Sequence, residues 1–165
     1  MDDSLKTVWI FGGLMFAVCV ALGVFLRVTR VKKLTAEGKI IKRKYNFYKN
    51  KQFFKSFISD EQGFYQALTN SVQRTGVCSF SGNYDSTVTY RGRSWTARLD
   101  RLQSDDGSLM FAYALVQFDE YRGTPKNAMD FNIILTAIEK VFLQYDPNTK
   151  ITEQAINFKT KHSLF

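Results

Sequence analysis

Residues Leu109–Phe118 read LMFAYALVQF, and this run decides how the rest of the chain is interpreted. Apolar side chains occupy both alternating sets of positions, as they do in a strand that is buried on both faces. The sequence therefore predicts a central strand here, and the most buried strand of the protein. Asp106-Gly107 lies just before it and is a strong signal for a hairpin turn.

Three more strand-like runs precede this one, with turn residues between them. Ser94–Leu102 alternates in polarity and carries Trp95, Ala97 and Leu99 on one face. Gly92-Arg93, just before that run, predicts a tight hairpin. The two earlier runs are Ser86–Arg91 and Val77–Ser81, with a predicted turn at Gly82-Asn83 between them. Because the connections are short, the four strands are predicted to form an antiparallel meander.

A helix is predicted before the meander, over residues 60–74. Phe64, Leu68 and Val72 recur every four residues and form an apolar stripe. Ser59 is the predicted N-terminal cap. Gly76 is the predicted C-terminal stop.

A second, longer helix is predicted after the meander. Thr124-Pro125 is its predicted start, since threonine caps helices and proline favours the first helical position. Asp146-Pro147 is its predicted end. Its broad apolar face is long enough to cover one face of the sheet. For Ile151–Phe158 an edge strand and a final helix both remain open.

The apolar run Val8–Leu26, VWIFGGLMFAVCVALGVFL, predicts a transmembrane helix. It contains 19 residues without a charge, and a helix of that length spans about 28 Å, enough for the hydrocarbon core. A cleavable signal peptide is not favoured, because Asp2 and Asp3 precede the run and no small-residue cleavage site follows it. The sequence therefore predicts a single uncleaved membrane anchor.

The basic residues predict the orientation of this anchor. Only Lys6 precedes the apolar run, whereas residues 27–55 contain eleven Lys and Arg residues and one acid, Glu37. Basic flanks stay on the cytoplasmic side of a membrane. We therefore expect a short extracytoplasmic N-terminus over 1–7, the transmembrane helix over 8–26, a basic aromatic connector over 27–58 and a cytoplasmic domain over 59–165.

The connector allows three interpretations: a solvated flank, an arm that binds anionic lipid headgroups, and a nucleic-acid-binding segment. Lys and Arg near an anionic bilayer attract it, and aromatic rings can enter the headgroup layer. Nucleic acid is the least favoured partner, because the nearby membrane would compete for the same charges. The candidate lipid-binding residues are Lys42, Arg43, Lys44, Tyr45, Tyr48, Lys49 and Lys51.

Few residues could carry catalysis or bind a metal. The single histidine, His162, lies in a polar tail, and no pair of cysteines offers a zinc site. Cys78 falls in a predicted strand, where a small buried side chain is the simpler interpretation. No phosphate-binding glycine loop is present. We therefore expect no catalytic residue, no metal and no cofactor, and a protein that is not an enzyme.

Four arginines cluster around one predicted hairpin and are the candidate partner-binding residues: Arg91, Arg93, Arg98 and Arg101. This arginine cluster has two interpretations. It is either a solvated face of the sheet or a contact surface for an acidic partner or a lipid phosphate. The fold class predicted for the chain is thus one transmembrane helix followed by a small α+β domain with a helix, a four-stranded antiparallel meander and a long helix covering the sheet. The predicted function is a membrane-anchored adaptor or accessory subunit of a membrane assembly. The alternative is a tethered domain that binds lipid or another apolar ligand in a pocket.

Overall fold

The computed structural model describes residues 3–44, 46–121 and 124–156. The chain forms two compact units, residues 1–39 and residues 40–165. Helix α1 (Asp3–Ala36) belongs to the first unit. Its stretch Val8–Ala36 is long and apolar enough to cross a membrane, in agreement with the helix predicted over 8–26. The helix continues beyond Leu26 to Ala36, so the basic residues that directly follow the apolar run are helical.

The second unit contains the remaining helices and strands of the described residues. A short 3-10 turn, Phe47–Lys49, precedes the first strand. The elements that follow are β1 (Asn50–Ser56), α2 (Glu61–Thr75), β2 (Ser79–Asn83), β3 (Thr87–Arg91), β4 (Trp95–Leu102), β5 (Leu109–Phe118), β6 (Glu120–Tyr121), β7 (Thr124–Pro125), α3 (Ala128–Tyr145) and β8 (Lys150–Ala155).

The main sheet has six strands, in the order β2-β3-β4-β5-β1-β8. Strands β2 to β5 form the antiparallel meander that the sequence predicts, but the prediction of four strands is wrong. Strand β1 pairs antiparallel with β5 on one side and with β8 on the other. Part of the segment predicted as a connector is therefore a strand inside the sheet. The edge-strand alternative for residues from 151 onward is the one observed in β8; residues 157–165 lie outside the described residues.

Strand β1 forms although its sequence, NKQFFKS, has only one buried hydrophobic side chain, Phe54. Two polar side chains of the same face, Gln52 and Ser56, are also buried. Gln52 donates a hydrogen bond to Glu153 (2.8 Å), and Ser56 donates one to Asp146 (3.0 Å). Their partners come from the far end of the chain, so the buried polar groups are satisfied by tertiary contacts.

Helix α2 has the boundaries that the apolar stripe predicts, within one residue. Its cap is Asp60 rather than the predicted Ser59, because the Asp60 carboxylate accepts a hydrogen bond from the Gly63 N–H. Gly76 ends the helix in the left-handed conformation, with φ of 65°, which glycine adopts without steric cost. Phe64, Leu68 and Val72 are fully buried.

Helix α3 begins later than the sequence predicts. Thr124–Pro125 forms the short strand β7 instead of a helix start, and Asn127 is the residue that precedes the helix. The end at Tyr145, just before Asp146-Pro147, is confirmed. The Asp146 carboxylate accepts hydrogen bonds from the Phe57 N–H (2.9 Å) and the Ser56 hydroxyl (3.0 Å), so the end of α3 is joined to the end of β1.

The predicted hairpin connections are confirmed at two places and wrong at a third. Gly92-Arg93 connects β3 to β4, and Asp106-Gly107 connects β4 to β5. Gly82 and Asn83, however, belong to β2, and the turn lies after them.

One aromatic core lies between the two helices and one face of the sheet. Phe54 of β1 stacks on Phe142 of α3 with ring centroids 4.7 Å apart. Tyr113 of β5 stacks on Phe131 of α3 at 5.1 Å. Phe64 of α2 contacts Phe142 at 4.8 Å. Both helices therefore cover the same face of the sheet.

Candidate interaction surface

The opposite face of the sheet is not covered by α2 or α3. Successive side chains of a strand point to opposite sides, so the residues that alternate with the core residues share this second face. We call it the open face. Its charged and apolar members are Lys51, Phe53, Lys55, Arg91, Arg98, Asp100, Leu102, Met110, Ala112, Ala114, Val116 and Lys150.

An apolar stripe runs along β5 in the middle of the open face. Met110, Ala112 and Ala114 follow each other at every second position. Phe53 of β1 lies opposite Ala112 and widens the stripe. A bulge in β5 leaves Val116 without a partner in β4 and half exposed. On this face of β5, Met110 and Ala114 are partly exposed, whereas Ala112 is fully buried.

Cations flank the stripe on both sides. Arg98 of β4 lies opposite Ala114. On the other side of the stripe, Gln52 of β1 pairs with Tyr113 of β5. The residue before Gln52, Lys51, therefore lies level with Ala114. Its ammonium group lies 5.5 Å from the centre of the Phe53 ring, a distance at which a cation and an aromatic face attract each other.

Lys55 and Lys150 lie directly opposite each other in the pairing of β1 with β8. Like charges in this position destabilise a sheet. Asp106 offsets part of this repulsion, since its carboxylate forms an ion pair with Lys55 (2.5 Å). This ion pair, together with hydrogen bonds from Ser104 and Ser108, holds the pKa of Asp106 below its usual range.

The four predicted partner-binding arginines do not share one surface. Arg91 and Arg98 lie on the open face, and Arg98 forms an ion pair with Asp100 (3.1 Å). Arg93 is exposed in the β3–β4 turn. That turn is close-packed, because a Cβ atom at Gly92 would lie 2.3 Å from the Trp95 ring.

Arg101 lies on the helix side of the sheet and is used within the fold. It donates hydrogen bonds to Glu61 of α2 (3.0 Å), Tyr65 (2.7 Å) and Asp85 (3.2 Å). These contacts join the start of α2 to the turn between β2 and β3. We therefore separate Arg101 from the other three candidates.

The seven predicted lipid-binding residues are also divided by the fold. Lys42, Lys44 and Lys49 are exposed, and Lys51 lies on the open face. Two of the candidates are internal: Tyr48 is 2% exposed, and the Arg43 side chain is 9% exposed and forms an ion pair with Glu139. Both side chains are enclosed within the fold, so they offer little surface for contact with headgroups. Tyr45 lies outside the described residues.

A polar stripe on α3 binds the segment that leads into the sheet, and the sequence analysis missed it. We call Asn132, Thr136 and Glu139 the α3 clamp. The Ile41 N–H donates to Thr136 (3.2 Å), and Asn132 donates to the Ile41 carbonyl (3.0 Å). Arg43 donates to Asn132 (2.8 Å) and to Glu139. The signal in the sequence is three polar residues at spacings of four and three within the mostly apolar middle of the helix.

Two clefts in the described residues are open to solvent. One, of about 830 Å³, runs along the 102–109 loop and includes Arg101, Glu61 and Asp85 in its wall. The other, of about 410 Å³, lies on α2 beside Tyr65. Neither has the enclosed apolar wall that is typical of a lipid pocket.

The described residues contain no cluster of three or more side chains suited to a metal ion. Burial, together with the nearby Asp130 carboxylate, raises the pKa of the Cys78 thiol to about 11, so the thiol is protonated at neutral pH. A protonated thiol is a poor nucleophile. His162 lies outside the described residues.

No model of a known protein family matches the chain. No curated protein shows significant sequence similarity to it.

Proposed function

We propose that the protein is a membrane-anchored adaptor or accessory subunit whose domain binds a protein partner through the open face. The observation that carries the proposal is the one-sided packing of α2 and α3, which leaves Phe53, Met110, Ala114 and Val116 partly exposed between cations on the open face. Apolar surface with arginine around it is typical of protein interfaces.

The proposed orientation places the domain in the cytoplasm and the N-terminus outside. The observation in its favour is the basic asymmetry around α1: Arg27, Arg30, Lys32 and Lys33 follow the apolar run, and Lys6 precedes it. Positive residues are retained on the cytoplasmic side.

We expect protease added outside intact cells or spheroplasts to leave the domain whole. The membrane would shield residues 40–165, and digestion would occur only after the membrane is permeabilised. A C-terminal epitope detected on blots reports the outcome, and an outward-facing membrane protein serves as the control for protease activity. Loss of the domain in intact cells, or a chain shortened by cleavage near Gly23, would contradict the proposed topology.

We expect Arg91→Glu combined with Arg98→Glu to abolish co-purification of the partner. Both changes place negative charge on the open face, where an acidic partner is then repelled. Partners are first identified by crosslinking and mass spectrometry on membranes that carry the intact protein, and are then quantified for each variant.

The matched control is Arg74→Glu combined with Lys140→Glu. These residues are exposed on α2 and α3, on the other side of the sheet, and the pair makes the same change in net charge. We expect the control to retain the partner. If both folded variants recovered equal amounts of the partner, the open face would not be the binding surface.

Lipid binding is the second candidate function, and the structure favours a smaller set of residues for it. Lys42 and Lys44 point to solvent on either side of the bound Arg43. Each exposed lysine near an anionic surface contributes roughly 1 kcal/mol to membrane attraction. This surface would supplement the anchor, whereas an apolar ligand held inside the domain would need an enclosed pocket, and the two clefts described above are open.

A further inference from the structure

The open face combines two properties that together select the chemistry of an occupant. The first is the apolar stripe of β5, with Met110, Ala114 and Phe53 partly exposed and Val116 half exposed. The second is the line of cations on each side of that stripe, with Lys51 and Arg98 level with each other. In the described residues no helix of this domain covers the stripe.

We propose that the occupant of the open face is an acidic amphipathic helix of a partner protein, seated along β5. This inference rests on the proposed function and specifies the partner. Apolar side chains of the helix would contact the stripe, and carboxylates on its two flanks would meet Lys51 and Lys55 on one side and Arg98 on the other.

A helix fits this site better than an extended peptide. Strand β5 lies inside the sheet, paired with β4 over most of its length and with β1 over Leu109–Tyr113, so the stripe is not at a free edge to which a strand could be added. Helices α2 and α3 already cover the other face in the same manner. A helix of about 18 residues is about 27 Å long, and the ten residues of β5 span about 33 Å, so one such helix matches the stripe.

Charge decides between a partner and a second copy of this chain. Two open faces brought together would place cations against cations, which is unfavourable. An acidic helix instead brings carboxylates to Lys51, and to Lys55 and Arg98 in competition with their partners Asp106 and Asp100, while it covers the apolar residues. The repulsion between Lys55 and Lys150 would also decrease when carboxylates approach.

The test uses the full chain in nonionic detergent micelles and a synthetic probe. The probe is a fluorescent helical peptide of about 18 residues, with leucine along one face and glutamate on the rest. Two further peptides serve as probe controls: one in which every glutamate is replaced by glutamine, and one of the same composition in scrambled order without an apolar face. Fluorescence anisotropy measures the affinity of each.

We expect the acidic probe to bind the unmodified chain, and both control peptides to bind at least about tenfold more weakly. Lys51→Glu combined with Arg98→Glu should weaken the acidic probe by at least about tenfold. Val116→Ser should weaken it less, since it removes only apolar contact. Arg74→Glu combined with Lys140→Glu should leave the affinity unchanged.

A lipid arm adds phosphatidylserine to the micelles of the unmodified chain and measures whether the lipid displaces the acidic probe. We expect phosphatidylserine to leave the probe bound. Failure of the acidic probe to bind, or equal binding of the glutamine peptide, would overturn the inference. Displacement of the probe by phosphatidylserine but not by phosphatidylcholine would assign the open face to lipid. In each of these cases, the adaptor function would still be supported if the variant with Arg91→Glu and Arg98→Glu lost its partner. Only the acidic helix as the occupant would then be rejected.

Discussion

Phe142→Ala is expected to lower the free energy of unfolding of the domain by about 3–5 kcal/mol. Phe142 is fully buried and its ring contacts Phe54, Phe64 and Phe111 at centroid distances of 4.7, 4.8 and 5.7 Å. The alanine variant therefore loses contacts with α2 and with two strands, and leaves a cavity between three rigid rings that cannot collapse into it.

Urea unfolding of the full chain in detergent micelles measures this effect. The chain has two tryptophans, Trp9 and Trp95, so a Trp9→Phe background makes the buried Trp95 the sole fluorescent reporter of the domain. Leu143→Ala is the matched control, because Leu143 is the next residue and is 39% exposed. We expect the control to cost about 1 kcal/mol or less. Similar losses in both variants would contradict the aromatic core.

Arg43→Ala is expected to lower the free energy of unfolding by about 3 kcal/mol or more. The Arg43 and Glu139 side chains are 9% and 14% exposed, so the alanine variant leaves a nearly buried carboxylate without its cation. Asn132 also loses the hydrogen bond that Arg43 donates to it. Of the hydrogen bonds between the α3 clamp and this segment, the two at Ile41 would then remain.

The same fluorescence assay tests this expectation. Lys42→Ala and Lys44→Ala are the controls, because these exposed neighbours should each change stability by no more than about 0.5 kcal/mol. Arg43→Met combined with Glu139→Leu should recover most of the loss, since no unpaired charge then remains. If Arg43→Ala unfolds like Lys42→Ala, the α3 clamp does not hold the segment.

Regular apolar patterns account for the parts of the fold that the sequence predicts. In β4, Trp95, Ala97 and Leu99 are buried and Arg98 is exposed, as the alternation predicts. In α2, the four-residue repeat predicts the buried face. These patterns succeed because each element buries a continuous set of apolar side chains in one direction.

Strand β1 was missed because its pattern is inverted. Its buried face contains Gln52, Phe54 and Ser56, whereas Phe53 lies on the open face between two lysines. Burial of Gln52 is stabilised by Glu153, and the hydrogen bonds from Gln52 and then Asn50 hold the pKa of Glu153 below its usual value. Local sequence cannot show a partner that is about a hundred residues away.

The candidate site was predictable in part for similar reasons. Alternation alone indicates that Arg98 points away from the core, and neighbouring-strand pairing places Arg91 beside it. The same alternation places Arg101 on the helix side, but its role depends on Glu61 and Asp85, which only the tertiary fold brings to it. Lys51 and Lys55 could join the open face only after β1 was known to be a strand.

The position of β1 in the sheet has a consequence for biosynthesis. A ribosome makes β1 before either of the strands that pair with it, because β5 and β8 lie much later in the chain. During that interval the adjacent rings of Phe53 and Phe54 have no partner, and an unpaired aromatic strand is prone to aggregate. Lys51 and Lys55 flank these rings, and charges in such flanking positions oppose aggregation. The lysines of the open face therefore also protect the nascent chain before the sheet exists.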